Sequence, residues 1–230
     1  MRWITLGVSI LAFGCTESVE SEDIRTSGVY PEIMVTATGN GNSTVSVRLK
    51  VGGSNSNTFL DMTGEDRLEA TVGATTRRLD ETSSDTYTAS FSEDAEDTEF
   101  TIAFVRGDAD ESAPASVVTM PAPFDLALDA TEASRADDDV GVMWDPPASG
   151  QVSWSIRGDC IKMDSGGTPD DGSHTLASGS IDTFESDMAE SCTVNLEVIR
   201  SRSGTIDPAF TEGGSITARH VRGDAFTSNP

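Results

Sequence analysis

Hydrophobic and polar side chains alternate in short runs along this chain, most clearly over Ser43–Gly52, where Val45, Val47, Leu49 and Val51 interleave with Ser46, Arg48 and Lys50. A period of two places one set of side chains on one face, so this run predicts a strand with that face toward a core. Further β-patterned runs are Ile33–Thr38, Thr58–Met62, Leu68–Val72, Thr86–Phe91, Phe100–Arg106 and Val117–Met120. They are divided by Gly39-Asn40-Gly41-Asn42, Gly52-Gly53-Ser54-Asn55 and the acidic stretch Ser92–Glu99. Turn signals every ~8–12 residues are the spacing of a β-sandwich.

Pro121-Ala122-Pro123 breaks the pattern, since proline donates no ladder hydrogen bond and stiffens the chain. A domain boundary is expected there, giving a first sandwich over residues 29–121 and a second over residues 122–230. The second opens with Phe124–Leu128 and the acidic turn Asp137-Asp138-Asp139, followed by Val140–Trp144, which Asp145-Pro146-Pro147 ends. Val152, Trp154 and Ile156 alternate with serines, and a Gly/Asp-rich loop from Asp164 to Ser173 precedes the run His174–Ile181. Strands over Cys192–Arg200 and Ser215–Val221 complete the set, the former with Cys192, Val194, Leu196 and Val198 on one face. The fold class expected is all-β. Phe100–Arg106 is similar to Cys192–Val198, and each is followed by a turn-rich link (Pro114-Ala115, Pro208-Ala209) and a last strand, so the halves read as distant repeats.

The N-terminus differs from the rest. Met1 and Arg2 precede an apolar stretch from Trp3 to Gly14, broken only by Thr5 and Ser9, and then Cys15. A helix needs about 20 apolar residues to span a bilayer, so residues 1–14 read as a signal helix rather than a permanent anchor. Residues 15–28, acidic and without periodicity, are expected to form a flexible tether. In an exported protein Cys160 and Cys192 form an even pair, and a disulfide closing about 33 residues would stabilise the fold by roughly 3–4 kcal/mol.

With 39 acidic against 15 basic residues, of which only Lys50 and Lys162 are lysines, the formal net charge is −24. Nucleic acid is not an expected partner, because a polyanion is held by Lys/Arg-lined grooves. The carboxylates form a solvated surface or bind divalent cations; for the latter the Asp164–Gly172 loop offers Asp164, Asp170 and Asp171, without the ordered spacing or terminal Glu of an EF-hand.

Three resemblances add to this picture. Leu11-Ala12-Phe13-Gly14-Cys15 resembles a bacterial lipobox, in which the Cys is lipid-modified (palmitate among the acyl chains) and becomes the first mature residue, with Ala12 and Phe13 departing from the preferred pattern. Thr16 after that Cys, where the pattern's inner-membrane retention signal is Asp, implies passage to the outer membrane, facing periplasm or cell surface. Val-Gly-Val-Met-Trp before Asp-Pro-Pro, at 140–147, resembles the second strand of fibronectin type III modules. The cysteines do not match antibody-type domains, since Trp144 and Trp154 both precede Cys160. Across most of the mature chain, Asp61–Leu68, Ser112–Pro121, Gly158–Ile161 and Asp207–Phe210 resemble a family of two-domain immunoglobulin-like lipoproteins of marine bacteria, to which no activity is attached. The resemblance implies architecture: two tandem immunoglobulin-like or fibronectin type III-like sandwiches behind a lipid anchor.

Catalytic signatures are absent from the sequence. His174 and His220 are the only histidines, neither at metal or triad spacing, and no nucleophile elbow, phosphate-binding glycine loop or dinucleotide fingerprint occurs. No cofactor and no enzymatic activity are expected. A hydrolase built from carboxylates that converge only in space stays open as an alternative. Arg-Gly-Asp occurs at Arg106–Asp108, Arg157–Asp159 and Arg222–Asp224, read as turn chemistry after strand-like runs rather than as an adhesion ligand. The function expected is a non-catalytic binding or spacer module with a protein or glycan partner, the alternative being a calcium-dependent adhesion or carbohydrate-binding module.

Overall fold

The structure, a computed structural model, describes residues 17–83, 85–107, 111–184 and 189–230. The signal segment and Cys15 lie outside these residues.

In chain order the strands are β1 (Glu17–Glu20), β2 (Val29–Ala37), β3 (Ser43–Val51), β4 (Thr58–Asp61), β5 (Arg67–Val72), β6 (Thr75–Arg78), β7 (Asp80–Ser83), β8 (Thr86–Phe91), β9 (Glu99–Val105) and β10 (Ala113–Thr119). Then follow β11 (Asp125–Leu128), β12 (Glu132–Ser134), β13 (Val140–Asp145), β14 (Gln151–Arg157), β15 (Asp164–Pro169), β16 (Ser173–Leu176), β17 (Cys192–Ser203) and β18 (Ser215–Asn229). The protein is all-β, with two short 3-10 turns between β1 and β2.

Two cores form as the alternation demands. In the first, β2-β3-β8 faces β10-β9-β5-β6; in the second, β11-β13-β16 faces β18-β17-β14-β15. Setting aside β1, β4, β7 and β12, each sandwich packs its first, second and fifth strands against its third, fourth, sixth and seventh. That is a Greek-key, immunoglobulin-like arrangement. β9 and β17 are the sixth strands of their sandwiches, which places the two similar sequence runs at equivalent positions. In β3, Val45, Val47 and Leu49 are at most 1% exposed, as the period-two reading requires. Burying each such side chain is worth about 1.5–3 kcal/mol.

The sandwiches are not separate. β18 is 15 residues long, and its first part, Ser215–His220, pairs in parallel with β2, while Thr217–Ser228 pairs antiparallel with β17. One sheet therefore runs through both cores, 11 strands among the described residues. Ile216 and Ala218 fill the first core and Phe226 the second. Phe210, from the β17–β18 connection, also packs in the first core, its ring stacked on Phe104 at 6.3 Å. The segment 204–218, expected in the second sandwich, thus belongs structurally to the first.

Residues 17–28, read as a free tether, are folded. β1 pairs in parallel with β4, and Ser21 and Thr26 are buried. No apolar alternation announces this segment. It is held by Arg106, whose guanidinium donates to Ser21 O (2.8 Å) and Ile24 O (2.9 Å) while its Nε meets Asp66 at 3.1 Å. The Gly/Asp-rich stretch from Asp164, expected as a loop, contains β15, an edge strand paired with β14 alone. Gly166 is required by a neighbour rather than by a turn: a Cβ there would meet the Trp154 ring at 3.0 Å.

Candidate functional site

The densest buried polar cluster lies where the two cores meet. Its centre is Arg200, which continues the inward phase of β17 after Val194, Leu196 and Val198 and is 4% exposed. A charge on that phase must find its partners inside. Arg200 Nε donates to Asp170 Oδ2 and Nη2 to Asp170 Oδ1, both at 2.6 Å, a bidentate fork. The remaining N–H groups reach backbone carbonyls of the linker, Ala122 (2.9 Å) and Pro123 (3.3 Å), and of Pro146 (2.8 Å). Trp144 Nε1 donates to Asp170 Oδ1 at 2.8 Å. The guanidinium also lies 4.8 Å from the Phe124 ring centroid, and Arg222 lies 5.4 Å from the same ring.

Arg222 is sandwiched between Phe124 and the Gly39 turn. Gly39 has φ +88°, and a Cβ there would meet Arg222 Cζ at 2.6 Å, so the turn both bends and leaves room because it is glycine. Gly41 N donates to Asp94 Oδ2 (3.0 Å), tying that turn to the 92–98 loop. On the other side, Arg202 bridges β17 to Asp97 (2.6 Å) and Thr119 (2.9 Å). Linker, turn and loop are thereby fixed to one pair of strands, and the arrangement sets orientation rather than performing acid–base chemistry.

His220 is fully buried in this joint, opposite Arg200 on β17 and Ala37 on β2. Burial lowers its pKa below the usual 6.5, with further lowering by the nearby Arg222 and Arg200 charges, while Asp94 acts the other way. The folded state therefore disfavours the charged imidazole. As pH falls below about 6.5 the unfolded chain takes up the proton first, so this contribution to stability is complete above that pH and declines until the folded-state pKa is reached. His174, stacked on Trp154 at 4.9 Å, is shifted in the same direction by burial. The melting temperature is expected to drop between pH 7.5 and 5.5, and His220→Leu to flatten that drop more than His174→Gln. A slope unchanged in the His220 variant would remove His220 as the cause.

The other residues singled out by their sequence context fall elsewhere. Cys160, in the turn after β14, and Cys192, opening β17, form a disulfide with Cα atoms 5.7 Å apart. The bridge joins adjacent strands at one end of a sheet instead of spanning two sheets. The calcium candidates do not converge. Asp164 and Asp170 sit at opposite ends of the six-residue β15, roughly 17–20 Å apart at ~3.3 Å per residue, and Asp170 is already bound by Arg200. Asp171 is exposed and caps Ser173 N. Among the described residues no group of three or more His, Cys, Asp or Glu gathers as a metal site.

Buried carboxylates lie in three different places. Asp66 is tied to Arg106 and to Gly107 N (2.8 Å), Asp170 to Arg200, and Asp207 to the amides of Ala115 (2.7 Å) and Ala209 (2.9 Å). No two of these three share a partner. Of the Arg-Gly-Asp tripeptides, Arg106 is buried in its ion pair, and Asp108 lies outside the described residues. Arg222–Asp224 is inside β18. Arg157 pairs loosely with Glu197 (3.8 Å), and Gly158 packs on Thr193 O and Cys192 Sγ, a tight turn beside the disulfide rather than a projecting loop. Trp144 is a core residue at 4% exposure, and Asp138 and Asp139 cap Ser134 and Ser178 amides, as turn carboxylates do.

Sequence reasoning did not place Arg106, Arg200 and His220 among the buried residues. A common signal marks them: each continues an inward apolar phase, as in Phe100-x-Ile102-x-Phe104-x-Arg106, Val194-x-Leu196-x-Val198-x-Arg200 and Ile216-x-Ala218-x-His220.

No protein-family model matches the chain, and no curated protein matches it. Among solved structures, a segment of two fibronectin type III domains from chicken tenascin is similar over 87% of this chain and 99% of its own length, with 12% identity and a TM-score of 0.24.

Proposed function

We propose that this chain is an exported envelope lipoprotein whose two sandwiches work as one rigid, non-catalytic module for binding or spacing. The observation that carries the reading is the sharing of β18 by both cores, reinforced by Arg200 gripping the linker. A spacer or presenting module needs a fixed relation between its ends, and a strand common to both halves provides one where a bare linker would not. The apolar leader ending at Cys15 supports export, and the Cys160–Cys192 disulfide suits an oxidising compartment.

With Cys15 acylated, the anchor would sit two residues before β1, so the first sandwich would rest close to the bilayer instead of swinging on a leash. Thr16 favours the outer membrane as its final place. Expression of the native chain and of Cys15→Ser, followed by membrane fractionation and acyl labelling, tests the anchor. The variant is expected in the soluble envelope fraction, unlabelled; a variant that stays membrane-bound and normally processed refutes it. Crosslinking of the anchored protein in cells then identifies the partner that a binding or spacer role requires.

A further inference from the structure

We propose that a cleft on the first sandwich, between β6 and the β7–β8 hairpin, binds an oxyanion: a phosphate, a sulfate ester or a carboxylate. The site is independent of the lipid anchor and gives the module a ligand chemistry. The cleft holds about 520 Å³ and is lined by Arg77, Arg78, Asp80, Thr82, Thr88 and Ser90. β6 is an edge strand with every residue exposed, and its consecutive Arg77 and Arg78 both line the cleft.

Among the described residues Arg77 and Arg78, with Arg25, Arg219 and Arg222, are arginines that no carboxylate approaches within 4.0 Å. Arg48, Arg67, Arg106, Arg157, Arg200 and Arg202 each have a carboxylate within 4.0 Å. Arg77 and Arg78 have none among the described residues, although the chain carries 39 acidic side chains. The cross-strand neighbour of Arg78 is Glu69, which Arg67 already holds at 2.6 Å. Arg77 rests 5.5 Å from the Phe91 ring centroid, a contact that orders the side chain without consuming its N–H donors. Thr82 donates weakly to Thr86 O (3.4 Å), and Thr88 and Ser90 line the same cleft.

A planar guanidinium matches the two oxygens of an oxyanion in a way that a point charge does not. Asp80 opposes an anion, but two cations against one carboxylate leave the cleft locally positive. The net charge of −24 does not reverse this, because at 0.15 M salt charges more than about 8 Å away are largely screened. Free phosphate and an anionic polysaccharide offer the same chemistry from different sources.

The test is calorimetric titration of the full chain at 0.15 M salt with inorganic phosphate, dextran sulfate oligomers and oligogalacturonate. At least one is expected to bind, with affinity falling as salt rises, and Arg77→Gln/Arg78→Gln to weaken it tenfold or more while leaving the thermal melt unchanged. Arg77→Lys/Arg78→Lys should bind more weakly than the native protein despite equal charge. Tighter binding of either polymer than of phosphate assigns an extended anionic chain, and equal binding assigns a free oxyanion. Absence of heat with all three, or native affinity in the glutamine variant, overturns the proposal.

Discussion

Asp170→Ala is expected to lower the unfolding free energy by about 3–5 kcal/mol, the cost of leaving a buried charge without its partner. Arg200 and Asp170 side chains are 4% and 1% exposed, so no water can replace the lost carboxylate without opening the joint. Trp144 Nε1 would lose its acceptor at the same time. Asp171→Ala, one residue on and exposed, is the control and should change stability by no more than about 0.5 kcal/mol. Urea unfolding of both variants decides the matter: a loss below about 1 kcal/mol for Asp170→Ala would show that the pair does not carry the joint. The double replacement Asp170→Leu/Arg200→Met should recover much of the loss, since the pair's net advantage over apolar side chains is small. What the double variant is expected to lose is the tie of the linker to β17, visible as faster proteolysis at Ala122–Pro123, because Arg200 holds both carbonyls to β17.

Removal of the disulfide is the second large effect. Cys160 and Cys192 are 32 residues apart, and releasing a loop of that length frees the unfolded chain by roughly 3–4 kcal/mol. For a chain of this size that corresponds to a fall in melting temperature of roughly 6–16 °C. Cys160→Ala/Cys192→Ala, or the native protein under reductant, should show it in a thermal scan; a shift under about 3 °C would mean that the unfolded chain is already compact around these residues. The loss should appear in the second core, where Cys160 packs and where Arg135 donates to its sulfur at 3.3 Å.

How much of the fold is legible in the sequence depends on which strands touch a core on one face only. β3, β8 and β9 announce themselves through strict alternation, because one face of each is buried against the opposite sheet. β6 and β7 have every side chain exposed, and β15 buries neither face, so their sequences carry no period to read. They are strands because a neighbour offers hydrogen bonds. β1 is similar, with Val19 its only apolar residue. The pairing of β18 with β2 joins residues about 180 positions apart and leaves no local trace. The joint is hidden for a different reason: Arg200 and His220 look like the ends of apolar runs unless their phase is followed one step further. The disulfide is legible because cysteine chemistry is binary in an oxidising compartment, whereas the dispersed carboxylates near Asp164 carry no comparable rule.

The order of synthesis gives β18 another significance. It is made after every other described strand, yet Ile216 and Ala218 are needed to finish the hydrophobic interior to which Val29 belongs. A nascent chain of this protein must keep the flank of β2 open until residues 215–220 arrive. β2 is therefore closed by a strand made about 180 residues later, and a chain cut before residue 215 leaves both cores unfinished.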